Sequence, residues 1–251
     1  MDMKWIFLSP HLDDVVFSCG GLVWELSQTG HEVEIWTICA GDPPQESLSP
    51  FAESLHRNWK LGLDAVQIRR QEDQKACQIL GAAPRYFPVL DCIYRKSSAG
   101  KFYYDSEGGI FGGFNPGEAE LINEVSSHLV ARLPDPARII SPLGIGNHVD
   151  HELVRKAANR LPMLLYYYAD YPYARENDGA EILKFMEGSA EWQCESFPVS
   201  EIGLEKWIQA AWAFGSQIST FWENELVLGE EIRNFSRSLG GMKLWKAVEE
   251  N

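Results

Sequence analysis

The sequence predicts an α/β fold: a Rossmann-like, doubly wound, mostly parallel sheet with helices on both faces. Three observations carry this expectation. Short apolar or β-branched runs alternate with longer segments of helical periodicity through roughly the first 170 residues. Two of the helical segments stop at glycines, Gly30 and Gly81, where a left-handed residue commonly closes a helix. Two of the strand-like runs end alike, on Ser9-Pro10 and Ser141-Pro142, each followed by a charged cluster.

The elements follow in order. Residues 4–9 (KWIFLS) have strand length. After Asp14, the residues Val15, Val16, Cys19, Leu22, Val23 and Leu26 fall at helical spacing with one apolar face. EVEIWTICAG (32–41) is β-branched and reads as a second strand. SPFAESLHRNW (49–59) reads as a short helix. DAVQIRRQEDQKACQILG (64–81) reads as a longer one, with Ile68, Ala76, Ile79 and Leu80 apolar. RYFPVLD (85–91) is expected as the third strand. Residues 91–117 are rich in Gly and Ser and carry Phe102, Tyr103, Tyr104, Phe111 and Phe114. They are expected to form a long loop rather than core, with a lid over a cleft and a plain surface or oligomer-contact loop both open.

PGEAELINEVSSHLVARL (116–133) reads as a helix, with Pro116 near its start and Glu118 and Glu120 in its first turn. ARIISPLGIGNHVDHELVRKAANRL (137–161) repeats the opening order of strand, Ser-Pro, loop, charged motif and helix. MLLYYYADYPY (163–173) is another apolar strand. Beyond it, EWQCESFPVS is expected as a strand. LEKWIQAAWAFGSQISTFW (204–222) is expected as one helix in which Trp207, Trp212 and Trp222 pack. The expected organisation is a single domain over residues 1–251, with a motif-bearing core at about 4–170 and a C-terminal extension packed on it.

Composition narrows the partners. The formal charge is −14, from 36 acidic and 22 basic residues, which argues against nucleic acid. The longest apolar stretches are far below membrane-span length, and the run after Lys4 is too short for a secretory signal. The five cysteines, Cys19, Cys39, Cys77, Cys92 and Cys194, are odd in number and widely spaced, as expected of free thiols in a reducing compartment. A soluble cytoplasmic protein is expected.

In a parallel sheet all strand C-termini lie at one edge, and ligands bind where the strand order reverses. The first and fourth strands are neighbours across that point. Their loops would pool His11, Asp13, Asp14, His148, Asp150 and His151. Two imidazoles and a carboxylate, with one position left open, are a ligand set for catalytic zinc. A divalent cation would also relieve the repulsion between Asp13 and Asp14. The plainer reading is that one of these aspartates caps the following helix. His31, His56 and His128 lie away from the motifs and read as ordinary histidines, and Glu72 as a helix-surface partner.

At these residues the sequence resembles the LmbE/PIG-L family of zinc-dependent N-deacetylases. "PHLDD" and "HVDH" stand where that family carries His-Pro-Asp-Asp and His-Pro-Asp-His motifs, with Leu12 and Val149 in place of the middle prolines. "RRQEDQKACQILG" resembles the family's Arg-Arg-x-Glu helix. The likeness covers roughly residues 4–170. It implies that His11, Asp14 and His151 bind zinc, with Fe2+ also admissible on the same ligands. It implies that Asp13 is the general base, that His148 stabilises the oxyanion or assists the leaving amine, and that Asp150 orients His148. It implies that Arg70 reaches the polar groups of the substrate, with Asp42 in "CAGDPP" and Asp91 after "YFPVL" as further substrate contacts. The implied reaction removes an N-acetyl group from an N-acetylglucosamine-type amino sugar, a small soluble conjugate, and releases acetate. A homo-oligomer is left open. Two other classes compete: a non-haem iron oxygenase using the His/Asp triad, which belongs on an all-β barrel, and a non-catalytic sugar-binding relative.

Overall fold

A strand buried on both faces needs a continuous apolar run, and Trp5, Ile6, Phe7 and Leu8 supply one. In the computed structural model, which describes residues 3–44, 48–176 and 191–248, this run is β1 (Lys4–Ser9), an interior strand of the sheet. Around it lie β2 (Val33–Thr37), β3 (Ala83–Tyr86), β4 (Ala137–Pro142) and β5 (Leu165–Tyr168), all paired in parallel. β6 (Glu191–Phe197) and β7 (Met242–Val248) complete the edge as an antiparallel pair, with β7 inserted against β5. The order among the described residues is β3-β2-β1-β4-β5-β7-β6. β1 therefore pairs with both β2 and β4, and the order reverses between β1 and β4, as expected.

The helices are α1 (Asp14–Gln28), α2 (Pro50–Asn58), α3 (Ala65–Leu80), the single turn α4 (Glu107–Ile110), α5 (Ala119–Val130), α6 (Val149–Ala158), α7 (Glu201–Trp212), α8 (Gly215–Phe221) and α9 (Glu225–Leu239). The β/α alternation removes the all-β premise of an iron oxygenase.

Four details depart from the sequence reading. β3 ends at Tyr86 instead of running to Asp91; beyond it the chain stays beside the β2 end through single links, the Phe87 N–H to the Thr37 carbonyl (2.9 Å), the Gly41 N–H to the Val89 carbonyl (2.8 Å) and an isolated bridge between Pro88 and Cys39. Pro88 has no N–H to extend a ladder. The 91–117 segment is not a bare loop. Its Cys92, Ile93, Tyr94, Tyr104 and Ile110 bury together with Leu12, Ala52 and Val149 in a second small core. The expected 204–222 helix is broken at Ala213–Phe214, because Phe214 turns inward to pack edge-on against Phe17, 5.5 Å between centroids. Of its tryptophans, Trp207 and Trp222 are buried but Trp212 is exposed. α9 was not expected at all.

The C-terminal segment packs through a close helix–helix contact. Trp207 Nε1 donates to the carbonyls of Val16 (2.7 Å) and Phe17 (3.2 Å). That approach requires the absence of side chains at Gly20 and Gly21, since a Cβ on Gly20 would stand 2.4 Å from Trp207. Gly20→Ala is expected to destabilise the protein by about 1–3 kcal/mol through overpacking, read as a lower urea midpoint. An unchanged midpoint would mean that α7 shifts freely off α1.

Candidate active site

The loop between β1 and α1 is folded by its own hydrogen bonds. Ser9 Oγ donates to the His11 carbonyl (2.6 Å) and accepts from the Val15 N–H (3.2 Å). The His11 N–H donates to Asp14 Oδ2 (2.7 Å). Asp13 occupies the position before α1 but makes no capping hydrogen bond, so capping does not account for the pair of aspartates. The matching loop after β4 turns through Gly144, Gly146 and Asn147, all at positive φ. Gly146 is required there, because a Cβ would meet Tyr173 at 2.7 Å. His148 then caps α6: its Nδ1 accepts from the Asp150 N–H (3.2 Å).

These loops bring the six expected residues to one place. The ligand atoms of His11, His148 and His151 lie within 4.8 Å of one another. Asp14 sits between two of the imidazoles, with Oδ2 3.1 Å from His11 Nδ1 and Oδ1 3.3 Å from His151 Nε2. Each imidazole is held from outside by another carboxylate. His11 Nε2 is 3.0 Å from Asp150 Oδ2, and His151 Nδ1 is 2.6 Å from Asp170 Oδ1. A carboxylate accepts only, so the outer nitrogens carry protons toward Asp150 and Asp170, and Asp14 draws a second proton to each inner nitrogen: burial lowers both imidazoles, but Asp14 outweighs it and raises His11 well above its ordinary value and His151 to about 9. A cation at the centre would displace the two inner protons and take the lone pairs of His11 Nδ1 and His151 Nε2 in their place. His151 Nε2 is buried and has no hydrogen-bond partner. Three acceptors around one point fit a cation, and imidazoles backed by carboxylates are the usual setting of bound metal.

The same charges shift the ionisations. Burial disfavours the charged Asp14, but His151 and His11 outweigh it and hold its carboxyl well below the usual range. Burial pushes Asp13 up; the Arg69 guanidinium opposes this, Asp14 adds to it, and the net shift is upward. Burial, aided by His11, holds His148 well below the ordinary imidazole value. His148 is thus a neutral imidazole with Nδ1 engaged at the helix cap, which leaves Nε2–H as a hydrogen-bond donor.

Three of the expected residues make contacts other than those their expected roles call for. The Asp150 side chain engages His11, Arg95 and the Cys92 N–H, not the His148 ring. Its contact with His148 is through the backbone N–H alone. Arg70 turns away from the cleft to the Ala40 carbonyl and to Asp42 (3.1 Å), and Asp42 is exposed. The neighbouring Arg69 faces the cleft instead, 3.4 Å from Asp13 and 5.1 Å from the Trp59 ring centroid. Asp91 does line the cleft, 3.8 Å from His11 Nε2.

Two participants escaped the sequence reading. Arg69 shares a helix face with buried Val66, Asp73 and Ala76, a spacing visible in the sequence. Asp170 lies just past β5, at the ligand-binding edge of the sheet, and position at a strand end was its only signal. Asp170 also accepts from the Gly144 (2.7 Å) and Ile145 (3.0 Å) N–H groups and so ties both loops together. His56 is an ordinary buried histidine bonded to Tyr94 Oη (2.6 Å), and His31 is exposed.

The cleft has a volume of about 590 Å3. Its floor is the charged cluster. Its rim includes Phe51 and Leu55 of α2, Phe111 just past α4 and Phe221 at the end of α8. Phe111 lies edge-on to His148, 5.3 Å between centroids, so part of the aromatic excursion does stand over the cluster.

A family model described as GlcNAc-PI de-N-acetylase (PIG-L) matches residues 6–161. The chain is 30% identical over 197 residues to a 2'-N-acetylparomamine deacetylase of Niallia circulans, covering 69% of each chain. It is 27% identical over 226 residues to a 2'-N-acetylparomamine deacetylase of Streptomyces fradiae, covering 85% of this chain and 73% of that one. Among solved structures, it superposes on the zinc-inhibited form of a teicoplanin deacetylase with a TM-score of 0.86, at 27% identity and 99% coverage of both chains.

Replacing Asp170 by Asn keeps its volume but removes the charge that backs His151. The variant is expected to bind divalent metal roughly 10- to 100-fold more weakly, measured by metal titration of the stripped protein. Unchanged affinity would mean that packing alone orients His151.

Proposed function

The chain belongs to the GlcNAc-PI de-N-acetylase (PIG-L) family, and from that premise we propose that it is a metal-dependent hydrolase. It removes the N-acetyl group from an N-acetylglucosamine-type amino sugar or conjugate and releases acetate. The observation that carries this reading is the convergence of His11 Nδ1, Asp14 and His151 Nε2 on one point, with Asp13 beside it and His148 facing it. We assign the metal ligands as His11, Asp14 and His151 and the resident ion as zinc, with Fe2+ compatible with the same set.

A divalent ion bound there polarises the amide carbonyl and eases ionisation of the attacking water. The residues divide the remaining work. Asp13, its basicity raised by burial, accepts the proton of the water. His148 Nε2–H donates a hydrogen bond to the oxygen that becomes negative in the tetrahedral intermediate. The proton held by Asp13 then passes to the departing amine. Arg69 fixes Asp13 and, with Asp91, faces the sugar.

Residues beyond 170 belong to the same functional unit in this reading. Tyr173, Gln217, Thr220 and Phe221 all line the cleft. The rim favours a conjugate whose aglycone presents apolar surface, because Phe51, Leu55, Phe111 and Phe221 offer contact area and, among the described residues, Glu107 is the one carboxylate that joins them outside the floor.

The purified protein is expected to contain about one divalent ion per chain and to release acetate from N-acetylglucosaminides. Asp13→Ala should keep the metal and lose about 10²–10⁴-fold in kcat. Asp14→Ala should lose the metal itself. A folded, metal-loaded protein that is inert across a broad panel of N-acetylated amino sugars would overturn the assignment. Aryl or alkyl N-acetylglucosaminides should show a higher kcat/KM than free N-acetylglucosamine, and Phe221→Ala should narrow that difference. Equal values for the two substrate types would remove the apolar rim from recognition.

A further inference from the structure

The 91–118 segment carries a buried cation whose place the deacetylation chemistry does not itself require. Arg95 donates through Nη1 to Asp150 Oδ1 and to the Leu90 carbonyl (3.1 Å), and through Nε and Nη2 to Glu118 Oε1 (2.6 Å) and Oε2 (3.4 Å). Its guanidinium lies 5.4 Å from the centroid of the Tyr104 ring. The side chains of Arg95, Glu118 and Asp150 are 7%, 4% and 0% exposed. Neither Arg95 nor Glu118 lines the cleft, so neither touches substrate.

We propose that Arg95 and Glu118 are positioning residues for the reaction: they set the orientation of the Asp150 carboxylate, which in turn fixes the ring of His11. The argument is geometric. Asp150 has two oxygens and three neighbours to serve. Oδ1 takes Arg95. Oδ2 takes the Cys92 N–H (2.9 Å) and His11 Nε2 (3.0 Å). Arg95 therefore decides which oxygen is left for His11 and in which plane it lies. Glu118 grips the other edge of the guanidinium with two oxygens, so the guanidinium cannot rotate. The relay Glu118–Arg95–Asp150–His11 ends with Nδ1 of His11 aimed at Asp14.

A merely structural reading treats Arg95 as a tether for the segment. Stability does not decide between the two, because buried ion pairs contribute little net stability and apolar replacements of similar volume are often tolerated. The geometry at the metal does decide, since partners one step behind a ligand set its orientation and affinity.

This inference rests on the proposed metal site. The test uses the full chain, stripped and titrated with Co2+, whose visible absorption reports ligand geometry. Arg95→Met is expected to weaken Co2+ binding roughly 10- to 100-fold and to change the absorption spectrum, with its thermal midpoint recorded alongside. Arg95→Lys, which retains a charge for Asp150 but not the fork to Glu118, should restore part of the affinity. A folded Arg95→Met protein with parental affinity and spectrum would overturn the proposal. Should Arg95→Met fail to fold, Glu118→Gln carries the test. It preserves volume, and it should shift affinity and spectrum in the same direction. Parental values for both would overturn the proposal equally. The parent protein separates the two claims: no Co2+ binding by the parent refutes the metal site itself, whereas parental binding with insensitive variants refutes only the relay.

Discussion

The structure turns on one electrostatic constraint: a buried carboxylate, Asp14, placed between two imidazoles that are each held on the far side by another carboxylate. In a low-dielectric interior that much negative charge needs compensation. Protons on the inner nitrogens provide it, because Asp14 raises both imidazoles, and a divalent cation would take their place. The far-side protons stay where they are in either state. Asp150 holds Nε2–H of His11, and Asp170 holds Nδ1–H of His151. Each of these carboxylates is satisfied in turn by backbone N–H groups or by Arg95.

The doubly wound sheet supplies this arrangement cheaply. β1, β4 and β5 are consecutive neighbours and parallel, so the three loops that leave their C-terminal ends emerge side by side. His11 and Asp14 come from the first, His148, Asp150 and His151 from the second, and Asp170 from the third. The second small core fills the space on one side of these loops and delivers Arg95. The C-terminal helices close another side. Glu72 on α3 accepts from both the N–H (2.8 Å) and Oγ (2.6 Å) of Ser216. It thereby anchors the start of α8, which places Gln217, Thr220 and Phe221 along the cleft. Read from sequence, Glu72 looked like a helix-surface residue; in the fold it joins two parts of the cleft wall.

What the sequence revealed follows from how local each signal is. The parallel core and the gathering of His11, Asp13, Asp14, His148, Asp150 and His151 were legible, because paired Ser-Pro strand ends and helical periodicity are local patterns. The partners of those residues were not. Arg69 and Arg70 are adjacent, and only the burial of one face of α3 decides which enters the cleft. Asp170 sits among tyrosines in "YYYADYPY" with no motif around it. Asp150 carries the motif, yet its partner came from a segment 55 residues away, Arg95. α9 was missed because its apolar stripe of Leu228, Ile232 and Phe235 is diluted by charges. β7 was not placed because an antiparallel insertion between β5 and β6 leaves no trace in local patterning.

The division between Asp13 and Asp14 shows how a single peptide step can separate two identical side chains. Both are nearly fully buried, 6% and 8% exposed. Burial raises both, so the difference lies in their partners. Asp14, the first residue of α1, projects between His11 and His151 and ends well below the usual carboxylate range. Asp13, just before the helix, has Arg69 at a loose 3.4 Å and Asp14 as a repelling neighbour, and ends above it. A carboxylate that stays ionised suits a cation, whereas one of raised basicity suits proton transfer. The helix start decides which is which, because it rotates successive side chains to different sides of the loop. Exchanging the two roles would therefore require moving the first turn of α1, not exchanging the residues.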